Sequence, residues 1–235
     1  MKILLVNKYL YRKGGAETYF IKLGEYLKSL GNEVEYFGMA DERNCVGNRV
    51  EAYTENIDFH KKSLKHITYP FKIIYSVNAR KQIRKVLSNF KPDVVHLNNF
   101  NYQLTPSIIY EIKKHNIPIV YTAHDVQLVC PNHKLKNDYT DGLCRKCDGG
   151  KYFECVKNNC VHSSKIRSIL GAVEAWYYKL RHTYKMIDLT VCPSEFMEKE
   201  ISRNDDINGR TVTMYNFIDK IKPLGAECEN YVLYF

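Results

Sequence analysis

Apolar positions change period several times along the chain, and the changes divide it into elements. Residues 3–6 are a continuous apolar run of strand type, followed by polar and aromatic residues 7–13 and then by Gly14-Gly15. Beyond the glycines, Ala16, Tyr19, Phe20, Leu23, Tyr26, Leu27 and Leu30 recur in steps of three and four. That spacing puts them on one face of a helix. Gly31 or Asn32 can terminate it, and residues 33–38 (EVEYFG) read as a second strand. Residues 1–38 therefore predict a βαβ unit, which requires parallel strands.

The same alternation continues. A polar loop over 39–60 precedes a helical stretch over 61–90, divided at Pro70 because proline lacks the N–H and its ring clashes with the preceding turn. A compact buried strand is predicted at 94–97, a helix over 104–115 and a strand over 117–122. Residues 126–162 follow neither period. A long helix over 163–184 carries Ile166, Leu170, Val173, Tyr177 and Leu180 on one face. A strand at 188–192, a helix from Glu195 with Ser194 as its N-cap, and a strand at 211–215 complete the pattern. The predicted fold class is α/β, a Rossmann-like three-layer domain built on a parallel sheet. The last apolar run, 231–235 (YVLYF), would expose hydrophobic surface as a free tail, so 229–235 are expected to begin a second domain and 1–228 to form the first.

Composition narrows the partners. With 45% hydrophobic residues the chain has material for a real core, and 35 Lys+Arg against 26 Asp+Glu give a formal charge of +9. Such a balance suits an anionic partner (nucleic acid, a sugar nucleotide or an acidic membrane surface) or is simply a solvated basic surface. Lys72, Arg80, Lys81, Arg84 and Lys85 cluster on the second part of the 61–90 stretch, as a solvated face or as a membrane-facing basic helix. The first apolar run stops at Val6, short of a signal-peptide core, and no run approaches the ~20 apolar residues of a membrane span. A cytoplasmic location is expected, peripheral at the inner face of the plasma membrane if anionic lipid is the partner.

Eight cysteines in a reducing compartment point to metal binding or burial rather than to a disulfide framework. Cys144-x2-Cys147-x7-Cys155-x4-Cys160 places four thiols within seventeen residues, with Gly142, Gly149 and Gly150 for the turns. Four thiolates satisfy tetrahedral zinc, so a structural zinc is expected there, with Cys130, His133 and His162 as substitute ligands; free thiols or a disulfide are the alternatives. Cys45, Cys192 and Cys228 are too scattered to join, and burial is their expected state.

The other candidate chemistry lies on one rim. In open α/β sheets ligands gather beyond the carboxyl ends of the strands, which is where Gly14-Gly15, His96, Asn98, His124 and Asp125 all fall. The glycine pair opens a helix, whose first-turn N–H groups favour an anion, and Arg12 and Lys13 adjoin it. The stretch lacks G-x-G-x-x-G spacing, which argues against a redox dinucleotide cofactor. The absence of a G-x-S-x-G elbow argues against a serine triad.

Five stretches in order now resemble a known family: Gly14-Gly15-Ala16-Glu17, Lys91-Pro92-Asp93-Val94-Val95-His96, His124-Asp125 followed by Leu128-Val129-Cys130-Pro131, Pro193-Ser194, and Tyr215-Asn216-Phe217-Ile218-Asp219. Together they are similar to the N-terminal domain of family 4 glycosyltransferases. The resemblance implies half of a GT-B architecture, here with a cysteine-rich insertion at about 126–162. It implies an enzyme that transfers a hexosyl group from a nucleotide-diphosphate sugar to a glycan or lipid-linked acceptor with retention of configuration and no catalytic metal, in surface polysaccharide synthesis. Carried over by position, His124 is the catalytic-centre residue beside the transferred sugar, and Gly14, Gly15 and Glu17 border the donor phosphates and the acceptor. The family's donor-binding motif belongs to the second domain, so the chain by itself is expected to be inactive. Two other readings share these features: a zinc-knuckle nucleic-acid-binding module, permitted by the charge and 19 tyrosines, and a GT-B sugar-nucleotide epimerase.

Overall fold

The computed structural model describes residues 1–56, 69–136 and 142–217, with 69–71 described by their backbone alone. The expected helix piece at 61–68, Ile218 and Asp219, Cys228, the final apolar run and the second-domain boundary at 229–235 lie outside the described residues.

Six strands form one sheet: β1 (Lys2–Val6), β2 (Glu33–Phe37), β3 (Val94–Leu97), β4 (Ile119–Thr122), β5 (Leu189–Cys192) and β6 (Thr211–Thr213). Their order is β2-β1-β3-β4-β5-β6 and every pairing is parallel, as the βαβ reading requires. The helices are α1 (Gly15–Ser29), α2 (Tyr69–Ile74), α3 (Val77–Phe90), α4 (Ser107–Lys114), α5 (Phe153–Lys157), α6 (Lys165–Leu180) and α7 (Glu195–Ile201).

The apolar run of β1 serves both faces of the sheet. Leu4 and Val6 join a core with Ile83, Leu87 and Phe90 of α3 and Ile108 and Ile112 of α4. Ile3 and Leu5 join Phe20 and Ile21 of α1 and Tyr36 of β2. A strand buried on both sides needs no polar alternation, which is why β1 reads as a continuous run. Helix α1 lies close on β2 because Gly24 has no side chain; a methyl group there would overlap the buried Tyr36 ring.

Several boundaries depart from expectation. Pro70 sits in the first turn of α2, where its missing N–H costs nothing. A break falls before α3, where the Ser76 side chain accepts from the Ala79 N–H at 3.1 Å. Ser194 caps α7 as anticipated, accepting from Met197 N–H at 3.2 Å. Helix α6 buries Ser168, Ala172 and Tyr178, so the apolar face read at 163–184 is not its core face: Ile166, Val173 and Leu180 are exposed. On α3, Arg80 and Arg84 are not a free basic face, because both bind the buried carboxylate of Glu111 on α4.

After β1 the chain turns to β2 on one side, and β3 then pairs on the other. The loops leaving β1 and β3 therefore diverge, and the crevice between them is where a parallel sheet places its ligands.

Candidate functional site

The crevice is held open by asparagines. Asn7, just past β1 and fully buried, accepts from the Asn99 N–H at 2.9 Å and donates its amide to the Tyr9 carbonyl at 2.7 Å. This ties the loop after β1 to the loop after β3. Asn98 is also fully buried, and its Oδ1 lies 2.9 Å from Nε2 of His124, beyond β4. Among the described residues the Asn98 amide nitrogen has no partner. A buried donor without an acceptor is costly, so this one is a feature to be explained.

His124 is held in place on several sides. The Asn98 oxygen can only accept, so the imidazole Nε2 donates to it and Nδ1 keeps its lone pair. Tyr19 of α1 meets the ring edge-on at 5.4 Å. Burial lowers the His124 pKa, against the opposing pull of Asp125 and Glu17. The ring is therefore neutral at pH 7 and offers an acceptor at Nδ1.

Behind it, His96 Nε2 lies 2.8 Å from the Thr122 hydroxyl. Burial, and secondarily the nearness of His124, push its pKa down to about 4. The sign follows directly: between about pH 6.5 and 4 the unfolded chain binds a proton that the folded chain refuses, so stability falls as pH falls through that window. The loss should amount to about 3 kcal/mol. Urea unfolding at stepped pH would measure it as the difference between the wild type and His96→Gln, because other groups titrate in the same window: His124 acts in the same direction and Glu174, pushed up by burial to about 8, in the opposite one.

Asp125 turns away from His124. Its carboxylate accepts from the Gln127 N–H at 2.9 Å and meets His133 Nδ1 at 3.2 Å. Burial would raise its pKa, but His133 and that N–H hold it below the usual carboxylate range. His133 is stacked on Tyr102 and stands 3.1 Å from the Asn101 amide, and it does not line the cavity where the cysteines meet. A cavity of about 230 Å³ opens beside these groups, lined by His124, Asp125, His133, Phe196 and Met197 among others.

At the glycine loop, Gly14 is extended and Gly15 begins α1; both are exposed. A Cβ on Gly15 would meet nothing within 4 Å, so packing within the described residues does not demand glycine there. Glu17 is buried, and its Oε2 lies 3.4 Å from where a Gly14 Cβ would be. Its carboxylate already faces the positive end of α1 from inside. Arg12 reaches Glu25 at 3.8 Å, and Lys13 lies over the Tyr9 ring. The loop thus offers a carboxylate and backbone N–H groups together, a pairing suited to hydroxyls as much as to phosphate.

Sequence reasoning placed Gly14, Gly15, His96, Asn98, His124 and Asp125 on this rim; in the structure His124 meets Asn98 and Glu17 lies against Gly14, whereas His96 turns back to Thr122 and Asp125 to His133. That reasoning missed Tyr19 and Thr122. Tyr19 falls on the apolar stripe of α1 and reads as core, and nothing local marks Thr122. Phe217, from the fifth motif, returns to α1 and packs on Tyr19 at 5.2 Å.

The zinc expectation is not supported. Cys130, Cys144, Cys147, Cys155 and Cys160 do line one small cavity. Yet among the described residues no three His, Cys, Asp or Glu side chains stand where they could hold a metal ion. Burial pushes the Cys147 thiol up to about 12 and raises Cys155 and Cys160, which are hydrogen-bonded to each other. Other contacts hold the segment. Arg145 pairs with the fully buried Glu200 of α7, Cys144 N–H donates to Leu135 O at 2.7 Å, and the Trp176 indole donates to Gly150 O at 2.9 Å. Cys192 is buried as expected, whereas Cys45 is exposed.

A sequence model described as Glycosyltransferase Family 4 matches residues 13–221, from the glycine loop past Phe217. The chain belongs to glycosyltransferase family 4. A relative is an uncharacterized 42.6 kDa protein in the cps region of Klebsiella pneumoniae, 28% identical over an alignment of 148 residues, with 57% of this chain and 39% of that protein covered. Among solved structures, sucrose-phosphate synthase from Thermosynechococcus elongatus superposes with a TM-score of 0.53 at 14% identity, over 91% of this chain and 47% of that one. That likeness shows the shared Rossmann-like α/β fold. This family 4 chain spans less than half the length of either protein. Among its described residues no helix is long and apolar enough to cross a membrane.

Proposed function

We propose that the complete protein is a retaining glycosyltransferase that moves a hexosyl group from a nucleotide-diphosphate sugar to a glycan or lipid-linked acceptor, and that residues 1–228 are its acceptor-binding half. The observation that carries the reading is the neutral His124, pinned by Asn98 at the switch point of a family 4 sheet. Its free Nδ1, the unpartnered Asn98 amide and the buried Glu17 carboxylate form a set of acceptors and donors that matches sugar hydroxyls. Gly14 and Gly15 leave open backbone at the mouth of the crevice, where acceptor and donor phosphate would meet. Donor binding falls to a second domain, consistent with the chain spanning under half of its relatives, and this half alone would not turn over. A role in surface polysaccharide synthesis draws on the cps-region relative.

The test is to incubate the full-length protein with a panel of nucleotide-diphosphate sugars, with and without glycan and lipid-linked acceptors. Transfer that depends on acceptor and keeps the anomeric configuration is the expected result. Failure to bind any nucleotide sugar at millimolar concentration would defeat the proposal, and conversion of the donor sugar without acceptor would replace it with an epimerase.

A further inference from the structure

Helix α6 presents its larger apolar side chains to solvent. Ile166, Ile169, Val173, Trp176 and Leu180 are 72, 42, 41, 37 and 79% exposed. Their spacing of three, four, three and four residues draws them into one stripe along the helix, about 21 Å long at 1.5 Å per residue. The buried side is made of Ser168, Ala172 and Tyr178. Isolated exposed apolar residues are ordinary, but a continuous stripe on one helix is a surface awaiting a partner.

The charge around the stripe says which partner. Lys165 and Arg167 are exposed at the start of α6, and Lys179 lies in its last turn. Helix α5, which packs against α6, adds exposed Phe153 and Lys157, and Lys151 precedes it. Glu174 is the sole acid on α6, and burial pushes it up to about 8, so it adds little negative charge at neutral pH. Trp176 has its indole N–H held by Gly150 O and part of its ring in water, an amphipathic group of the kind enriched at membrane interfaces.

We infer that the α6 stripe is a membrane-docking surface that seats the protein on an anionic lipid bilayer. The five apolar side chains enter the headgroup boundary while the flanking lysines and arginine meet lipid phosphates. On α3, by contrast, Arg80 and Arg84 are engaged by Glu111. The inference stands apart from the transferase reading, because docking is read without donor or acceptor.

The experiment is flotation of the full-length protein with vesicles of equal parts phosphatidylglycerol and phosphatidylcholine, against pure phosphatidylcholine, at low and high salt. Trp176 is the only tryptophan in these 235 residues, so its emission reports the contact when this chain is used. The expected results are flotation with the anionic vesicles, weakened by salt, and a blue-shifted Trp176 emission quenched by brominated lipid. Ile166→Ser with Leu180→Ser, both at highly exposed positions, should lower partitioning at least tenfold without lowering thermal stability. Lys165→Glu with Arg167→Glu should abolish the preference for anionic lipid. No flotation with anionic vesicles, equal partitioning of the serine variant, or unquenched Trp176 would each overturn the inference. So would a protein that ignores vesicles but forms a dimer that the serine variant dissociates, which would assign the stripe to a second copy.

Discussion

His124→Ala in the complete enzyme is expected to lower turnover about 100- to 1,000-fold, the range seen when one preorganised polar group is removed from a reaction centre. The imidazole is set by Asn98 at 2.9 Å and by the edge of Tyr19, and burial keeps it neutral. Its work in the proposed reaction is to accept a hydroxyl proton of the sugar in a fixed position, with no rearrangement when the bond to the diphosphate breaks. Alanine would also leave both ends of the buried Asn98 amide unpaired. The fall should therefore appear mainly in kcat, with thermal stability reduced by only a few degrees. Steady-state kinetics with a saturating acceptor would measure it, and unchanged kcat would remove His124 from the reaction centre. Asn98→Ala should reproduce part of the loss, because an unanchored ring samples other rotamers.

The largest effect on stability is expected at Glu111. Its carboxylate is 2% exposed and accepts from Arg80 at 2.8 Å and from Arg84 at 2.5 and 3.1 Å. Both arginines come from α3, so the group joins α3 to α4 beneath the sheet. Glu111→Ala would leave the partly buried Arg80 guanidinium without its counter-charge, at a cost of about 3–5 kcal/mol. Hydrogen bonding from Arg84 chiefly, and from Arg80, holds the carboxyl down at about 2. A depressed acid stabilises the fold at pH values above its ordinary 4.5, and the contribution is lost as pH falls toward 2. Denaturant melts at neutral pH would give the loss, and acid titration of the variant should show a smaller decline between those values than the wild type, the remainder coming from other depressed carboxyls such as Asp41 and Asp125. A neutral-pH loss below about 1 kcal/mol would show the pair to be no stronger than a surface bridge.

The difference between what was legible and what was not follows the distance over which each feature is encoded. The βαβ opening, the strands at 94–97 and 188–192 and the Ser194 cap depend on neighbours within a turn or a pleat, so period and residue type reveal them. The rim was legible too, because a parallel sheet fixes which loop ends face the ligand wherever its strands lie in sequence. The cysteine spacing is a different case: it records closeness along the chain but not the directions of the thiols. In the fold Cys155 and Cys160 are hydrogen-bonded to each other, and the Arg145–Glu200 pair anchors the segment.

By itself the sequence determined a parallel α/β domain of glycosyltransferase family 4, with the glycine loop, Glu17, Asn98 and His124 at one edge. Only the tertiary structure decided that His124 meets Asn98 and that His96 meets Thr122, contacts across 26 residues set by the register of β3 on β4. Only it decided, too, which way α6 faces. Periodicity finds a stripe but not its direction. Here Ser168 and Gly171 let the helix close against Val161, and the larger apolar residues are left on the outside.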